Sequence, residues 1–187
     1  MRAFLIAILL IAGIGLLLAF WIYGSYNGLV NLDEETNKAF AQVDVVLQRR
    51  FDLIPNLVET VKGYAAHESD VLKSVTEARS RVGQASTPQT KVDAQNQLTG
   101  ALSRLLVVAE NYPQLKANQN FMALQDELAG TENRIAVERR RYNETVTEYN
   151  KKIRQVPGNI IAGMFGFQRR SVLEAPAEAQ QAPKVKF

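Results

Sequence analysis

His67 is the sole histidine of the chain, and there is no cysteine. With no second imidazole and no thiolate, one chain cannot build the multi-ligand nitrogen and sulfur sites that hold zinc, and disulfides and a cysteine nucleophile are excluded. His67 lies in GYAAHESD beside Glu68 and Asp70, where it can pair with a carboxylate across one helical turn. We read it as a structural or solvated side chain. Asp33, Glu34 and Glu35 are consecutive, so on a helix they fan outward instead of converging, and in a first turn their charge suits the dipole. No glycine-rich phosphate loop and no G-x-S-x-G element is present. The expectation is a protein without enzymatic activity, cofactor or metal. The densest charge is ERRR at Glu138–Arg141, with Arg139, Arg140 and Arg141 in a row. A solvated face is its leading reading, and a docking face for anionic lipid or a partner is the second. Lys plus Arg (22) nearly balances Asp plus Glu (19), for a net charge of +3. That is not the footprint of a nucleic-acid binder.

The elements that carry these residues begin with an anchor. From Ala3 to Tyr23 the chain has no charged residue. At ~1.5 Å per residue the stretch spans about 31 Å as a helix, one hydrocarbon core. Trp21 and Tyr23 stand at its outer end, where amphipathic rings favour the headgroup layer. A cleaved signal peptide is the rival reading, but cutting after Gly24 or Ser25 puts Ile22 or Tyr23 where a small residue is wanted. We therefore expect a retained transmembrane anchor over residues 1–25. Gly15 with Ala19, and Gly24 with Gly28, form small-xxx-small pairs that let helices approach closely in lipid. Tyr26 and Asn27 follow, placed to hydrogen-bond between neighbouring chains. Arg2 on the short side, against a first distant cation at Lys38, leans towards a cytoplasmic N-terminus and a bundle outside.

Residues 26–156 read as helix throughout. Between Leu29 and Val156 glycine occurs only at 63, 83, 100 and 130, and proline only at 55, 88 and 113. That is too little punctuation for an all-β domain. Leu29, Leu32, Thr36, Phe40, Val43, Leu47, Phe51, Ile54, Val58, Val61 and Ala65 step by threes and fours, and the phase continues through Leu72 and Val75. One helix is expected from about 26 to about 83, bent at Pro55, which lacks an N–H and crowds the Phe51 carbonyl. A second runs from about Gln89 to Glu110. A third runs from about Leu115 to Gln155, with a seam of Phe121, Leu124, Leu128, Thr131, Ile135, Glu138, Tyr142, Val146, Tyr149 and Ile153. The predicted fold class is all-α: a transmembrane helix followed by an antiparallel bundle of long helices with coiled-coil-like packing, four-helix if Pro55 divides the first. Thr36, Thr131 and Glu138 interrupt the seams and can set register. Asn56, Asn111, Asn133 and Asn143 are expected to bond between helices.

Residues 157–170 change character. A Pro157-Gly158-Asn159 turn leads into IIAGMFGF, which is too short to span a bilayer. Packing as a cap on the bundle end is the leading reading. The second is a dip into a membrane surface through Phe165 and Phe167, with Arg169 and Arg170 suiting lipid headgroups. Residues 171–187, rich in Ala, Pro, Gln and Glu, are expected to form a flexible tail.

Several of these segments resemble the LemA family. They are YNGLV at Tyr26, QRRFDLIPNLVETVKGYAAHE from Gln48, VTEAR at Val75–Arg79, ENYPQLKANQNFMALQDELAGTENRIAVERRRYNETVTEYN from Glu110, and PGNIIAGMFGF from Pro157. The family's R-x-D-L-I-P-N-L-V element reads Arg50-Phe51-Asp52-Leu53-Ile54-Pro55-Asn56-Leu57-Val58. The resemblance implies a single-pass bacterial membrane protein with a four-helix bundle and no known enzymatic activity. A magnetosome-forming relative hints at membrane shaping. The family's gene neighbours imply a membrane protease of the HtpX type or a TPM-domain protein as partner. The family has also been described with its short N-terminus outside, opposite to the charge reading. Together these readings give a membrane-anchored, non-enzymatic scaffold in the bacterial inner membrane, in contact with lipid, that self-associates and organises or senses the cell envelope membrane. The alternative is an adaptor for such a protease or TPM-domain partner.

Overall fold

The computed structural model describes residues 1–174; residues 175–187, most of the expected tail, lie outside the described residues. Helix accounts for 83% of the described residues and no strand is present among them, so the fold class is all-α as expected. Among the described residues six helices follow in order: α1 (Arg2–Lys62), α2 (Ser69–Gln84), α3 (Pro88–Ala109), α4 (Pro113–Lys116), α5 (Gln119–Lys152) and α6 (Gly158–Phe165).

Their ends follow from local chemistry. Thr87, just before Pro88, and Thr90, in the first turn, form a reciprocal capping box that starts α3. Asn118 Oδ1 accepts from the Phe121 N–H at 3.0 Å and starts α5. The expected third helix is therefore two, the short α4 and the long α5. Gly166, at φ 78°, ends α6 in the left-handed conformation. The N–H groups of Gly166 and Phe167 both return to the Ala162 carbonyl, at 2.9 and 3.0 Å.

The expected single helix from 26 to 83 is corrected. Helix α1 runs unbroken through Pro55 and ends at Lys62; the chain turns at 63–68 and resumes as α2. His67 lies exposed in that turn, not in a helix. Nothing in the pattern marks the break, because the apolar phase resumes after it. Glu68, the residue ahead of α2, makes no side-chain cap bond.

The described residues divide into two compact units: 1–39 with 143–172, and 40–142 with 173–174. The second unit is a four-helix arrangement of α2, α3 and parts of α1 and α5, with α4 at a corner. Its core joins Ile54, Leu57 and Val61 of α1, Leu72 and Val75 of α2, Leu98 and Leu105 of α3, Leu115 of α4, and Phe121 and Leu128 of α5. Here α1 and α5 run antiparallel: Phe40 meets Tyr142 edge-on at 5.7 Å, Arg50 pairs with Glu132, and Tyr64 Oη accepts from Asn118 Nδ2 at 2.9 Å. The first unit buries Leu29 with Tyr149, Ile153, Ile161 and Ala162.

Of the expected seam, Phe121, Leu128, Thr131, Ile135, Tyr142, Val146 and Tyr149 of α5 and Ile153 just beyond it are buried, while Leu124 and Glu138 are half-buried. Thr36 and Thr131 are buried, but each hydroxyl donates to the carbonyl three residues back in its own helix, both at 2.7 Å. Their polarity is absorbed locally. Asn56, Asn111 and Asn133 are exposed, contrary to their expected interhelical role. Those three face away from the seams; Asn118 and Asn150 make the inter-segment bonds instead.

Candidate functional site

Most of the exposed apolar surface gathers in the first unit. The N-terminal part of α1 is apolar and uncovered: its richest 18-residue window has a mean hydropathy of 2.9 with none of it buried. A bare surface of Leu, Ile and Phe on this scale has no stable place in water, and it matches a bilayer core in length. Protein cover begins at Ile22 and Tyr26, which pack on the Leu29–Tyr149 core.

Helix α6 provides that cover. After α5 the chain reverses at Pro157-Gly158, where the backbone of α5 comes too close for any side chain. A Cβ on Gly158 would stand 2.2 Å from the Lys152 carbonyl oxygen. The reversal lays α6 against the lower turns of α1. Its inner face, Gly158, Ile161 and Ala162, is buried. The Phe165 ring lies 4.7 Å from that of Tyr26, tilted, and the Phe167 ring meets Tyr26 edge-on at 5.8 Å. Such aromatic pairs contribute about 0.5–1.5 kcal/mol each beyond area burial.

Past Gly166 the chain is strapped back along the unit. Tyr149 Oη donates to the Gln168 carbonyl at 2.9 Å. Asn150 pairs twice with the Arg170 backbone, donating to its carbonyl at 2.7 Å and accepting from its N–H at 3.0 Å. The Arg170 guanidinium donates to Asp33 at 2.9 Å. Burial raises the Tyr149 phenol above its ordinary pKa, and the Asp33 carboxylate adds to the rise. The Asp33 role escaped the sequence reading, where it counted only as a helix-start charge.

The other predicted site residues fall in several places. Phe165 is half exposed and Phe167 partly buried, while Arg169 is exposed and Arg170 is committed to Asp33. Gly15, Ala19 and Gly24 are exposed, Asn27 and Gly28 half-buried, and a Cβ on any of the three glycines would meet nothing within 4 Å. Pro55 is exposed on α1 in the second unit. Arg140 and Arg141 are exposed, but Arg139 is half-buried with its Nε unbonded. Burial draws the Arg139 guanidinium below the ordinary arginine pKa, against the pull of Glu132.

Two features were missed. Arg50, in the R-x-D-L-I-P-N-L-V element, is 5% exposed and pairs with Glu132. The other is a groove of about 580 Å³ lined by Thr147, Asn150, Lys151, Arg154, Gln155, Arg169 and Val172. Its cations come from two segments that only the Gly158 reversal brings together, so no local pattern could have shown it. Among the described residues no group of three or more acidic or histidine side chains could hold a metal ion.

The LemA family model matches residues 39–187. Magnetosome protein MamQ 1 of Paramagnetospirillum magneticum is 28% identical over 179 residues, covering 81% of this chain and 66% of its own length. Magnetosome protein MamQ of Magnetospirillum gryphiswaldense is 28% identical, with 77% of this chain and 62% of its own length covered. Protein LemA of Metamycoplasma hominis is 24% identical, covering 83% of this chain and 72% of its own length. The chain thus spans just under two thirds of the MamQ proteins it matches.

Proposed function

The chain belongs to the LemA family, and from that premise we propose that it is a membrane-anchored, non-enzymatic helical scaffold that self-associates and organises the bacterial inner membrane. One observation carries the reading. Helix α1 passes from its uncovered apolar stretch into the buried Leu29 without a linker. A helix that is both anchor and core element transmits position between bilayer and protein, whereas a flexible tether does not. The two MamQ relatives, named as magnetosome proteins, favour a structural task in an assembly over a catalytic one. The single Arg2 on the short side favours a soluble part outside the cytoplasm.

The test is the size and composition of the native complex. Full-length protein extracted in mild detergents and in native-lipid discs should run as a large homo-oligomer. A monomer under all these conditions overturns the scaffold. A small complex dominated by a second protein transfers the assignment to an adaptor, with a membrane protease or TPM-domain protein as the partner to look for.

A further inference from the structure

Helix α6 has apolar residues on both sides, but protein covers only one. Ile161 and Ala162 are buried, whereas Ile160 is 53%, Met164 64% and Phe165 52% exposed. An eight-residue helix with an open Ile160–Met164 face and a half-exposed Phe165 at its end would be a liability in water. Its position resolves this. Phe165 and Phe167 sit on Tyr26, which lies three residues, ~4.5 Å along the helix, beyond Tyr23 at the end of the charge-free stretch. The open face of α6 is thus held at the depth where the anchor leaves the hydrocarbon. The same unit carries the groove of Lys151, Arg154 and Arg169, in which none of the described lining residues is acidic. Arg170, the neighbouring cation, is neutralised by Asp33.

We propose that residues 151–169 form a membrane-surface foot. The Ile160–Met164 face of α6, with the exposed edge of Phe165 at its end, enters the acyl boundary beside the anchor, and the Lys151–Arg154–Arg169 groove takes the phosphate of an anionic phospholipid. The occupant is the bilayer into which α1 inserts, since continuity with the anchor places the apolar face at its surface and the groove's charge matches acidic headgroups. The foot fixes the tilt and depth of the first unit, which a lone helix cannot do. This inference rests on the anchor reading, and the experiment separates the two.

Trp21 is the only tryptophan, so quenching by nitroxide-labelled lipids reads depth at one place. Full-length protein is reconstituted in phosphatidylcholine vesicles with and without phosphatidylglycerol. Trp21 quenching reports the anchor. Trp21→Phe/Phe165→Trp reports α6, with Trp21→Phe/Met164→Trp as a second variant should Phe165 be needed for folding. Trp21→Phe/Glu35→Trp reports a level ~13 Å beyond Tyr26 along α1. The expected result is quenching at 165 and 164 by a shallow nitroxide but not a deep one, and none at 35. Trp21 quenched with 164 and 165 as dark to the probe as 35 overturns the foot and leaves the anchor standing; an unquenched Trp21 overturns both. For the groove, spin-labelled phosphatidylglycerol should be held in preference to labelled phosphatidylcholine. Lys151→Gln/Arg154→Gln/Arg169→Gln should reduce that preference about fivefold or more, and Arg140→Gln/Arg141→Gln should not. An equal loss from both variants, or displacement of the lipid by inorganic phosphate, overturns the headgroup assignment.

Discussion

Proline at position 55 has no N–H, so the carbonyl of Phe51 loses its helical donor. The structure supplies another: Arg79 Nε of α2 donates to that carbonyl at 3.3 Å, with the guanidinium carbon 3.9 Å from the centre of the Phe51 ring. One side chain thus satisfies the freed acceptor and makes a cation–π contact. It also ties VTEAR to the R-x-D-L-I-P-N-L-V element, two motifs whose connection the sequence did not disclose. Arg79→Leu should cost about 1–3 kcal/mol in an unfolding measurement. In a Pro55→Ala background the restored N–H can serve Phe51 itself, so the same substitution should cost ~0.5–1.5 kcal/mol less. Equal costs in both backgrounds would show that Arg79 acts through the ring alone. The Arg50–Glu132 pair gives a second prediction. Burial pulls the Arg50 guanidinium below the ordinary arginine pKa while Glu132 opposes the fall. Removing Glu132 would leave a buried cation without its partner. Because Glu132 is itself 44% exposed, Glu132→Gln should cost about 1–3 kcal/mol, less than for a fully buried pair. Glu127→Gln, which removes the exposed partner of Arg49, should change stability by no more than about 0.5 kcal/mol. Matching values for the two would mean that water reaches Arg50.

The helices were legible where one physical signal dominated. The α5 seam is buried or half-buried from Phe121 to Ile153 because a long helix with a single apolar stripe has one way to cover it. The break at 63–68 was not legible, since α2 begins without a side-chain cap and its apolar residues resume in phase with α1. The candidate site was half legible. The aromatic and cationic types at 165–170 stood out, but the Asp33–Arg170 pair joins positions 137 residues apart. The Lys151–Arg154–Arg169 groove likewise exists only through the reversal at Gly158. That reversal is itself testable. A Cβ at Gly158 would overlap the Lys152 carbonyl oxygen, while one at Gly163 meets nothing within 4 Å. Gly158→Ala should therefore destabilise α6 by more than about 1 kcal/mol, displacing it from Leu29 and Tyr149. Gly163→Ala should be neutral or stabilise the helix by up to ~1 kcal/mol. Amide exchange across residues 158–167 in the two variants reads both outcomes. Similar protection in both would mean that the α5–α6 turn can open at little cost.

On the scaffold reading proposed above, the small residues of the anchor limit how copies could meet. On a helix of 3.6 residues per turn, the Gly15–Ala19 pair and the Gly24–Gly28 pair point about 180° apart and lie ~13 Å apart in depth. Copies inserted in the same direction meet only at matching depth. The 15/19 patch can then face only its own counterpart, and so can the 24/28 patch. Each contact is two-fold and self-complementary, and two such contacts on opposite faces of one helix build an open row, not a closed dimer. Such a row would suit the scaffold we propose, and it makes a graded prediction. Wild type in native-lipid discs or crosslinked in the membrane should extend beyond dimers. Gly15→Ile/Ala19→Ile, blocking the deeper patch, should leave dimers joined at 24/28. Gly24→Ile/Gly28→Ile should leave dimers joined at 15/19, and blocking both should leave monomers with an intact bundle by circular dichroism. Close approach at such patches is what drives helix association in lipid, so a bulky residue there removes the contact without touching the core of either unit. Large oligomers surviving the fourfold substitution would take assembly out of the anchor and place it in the soluble helices.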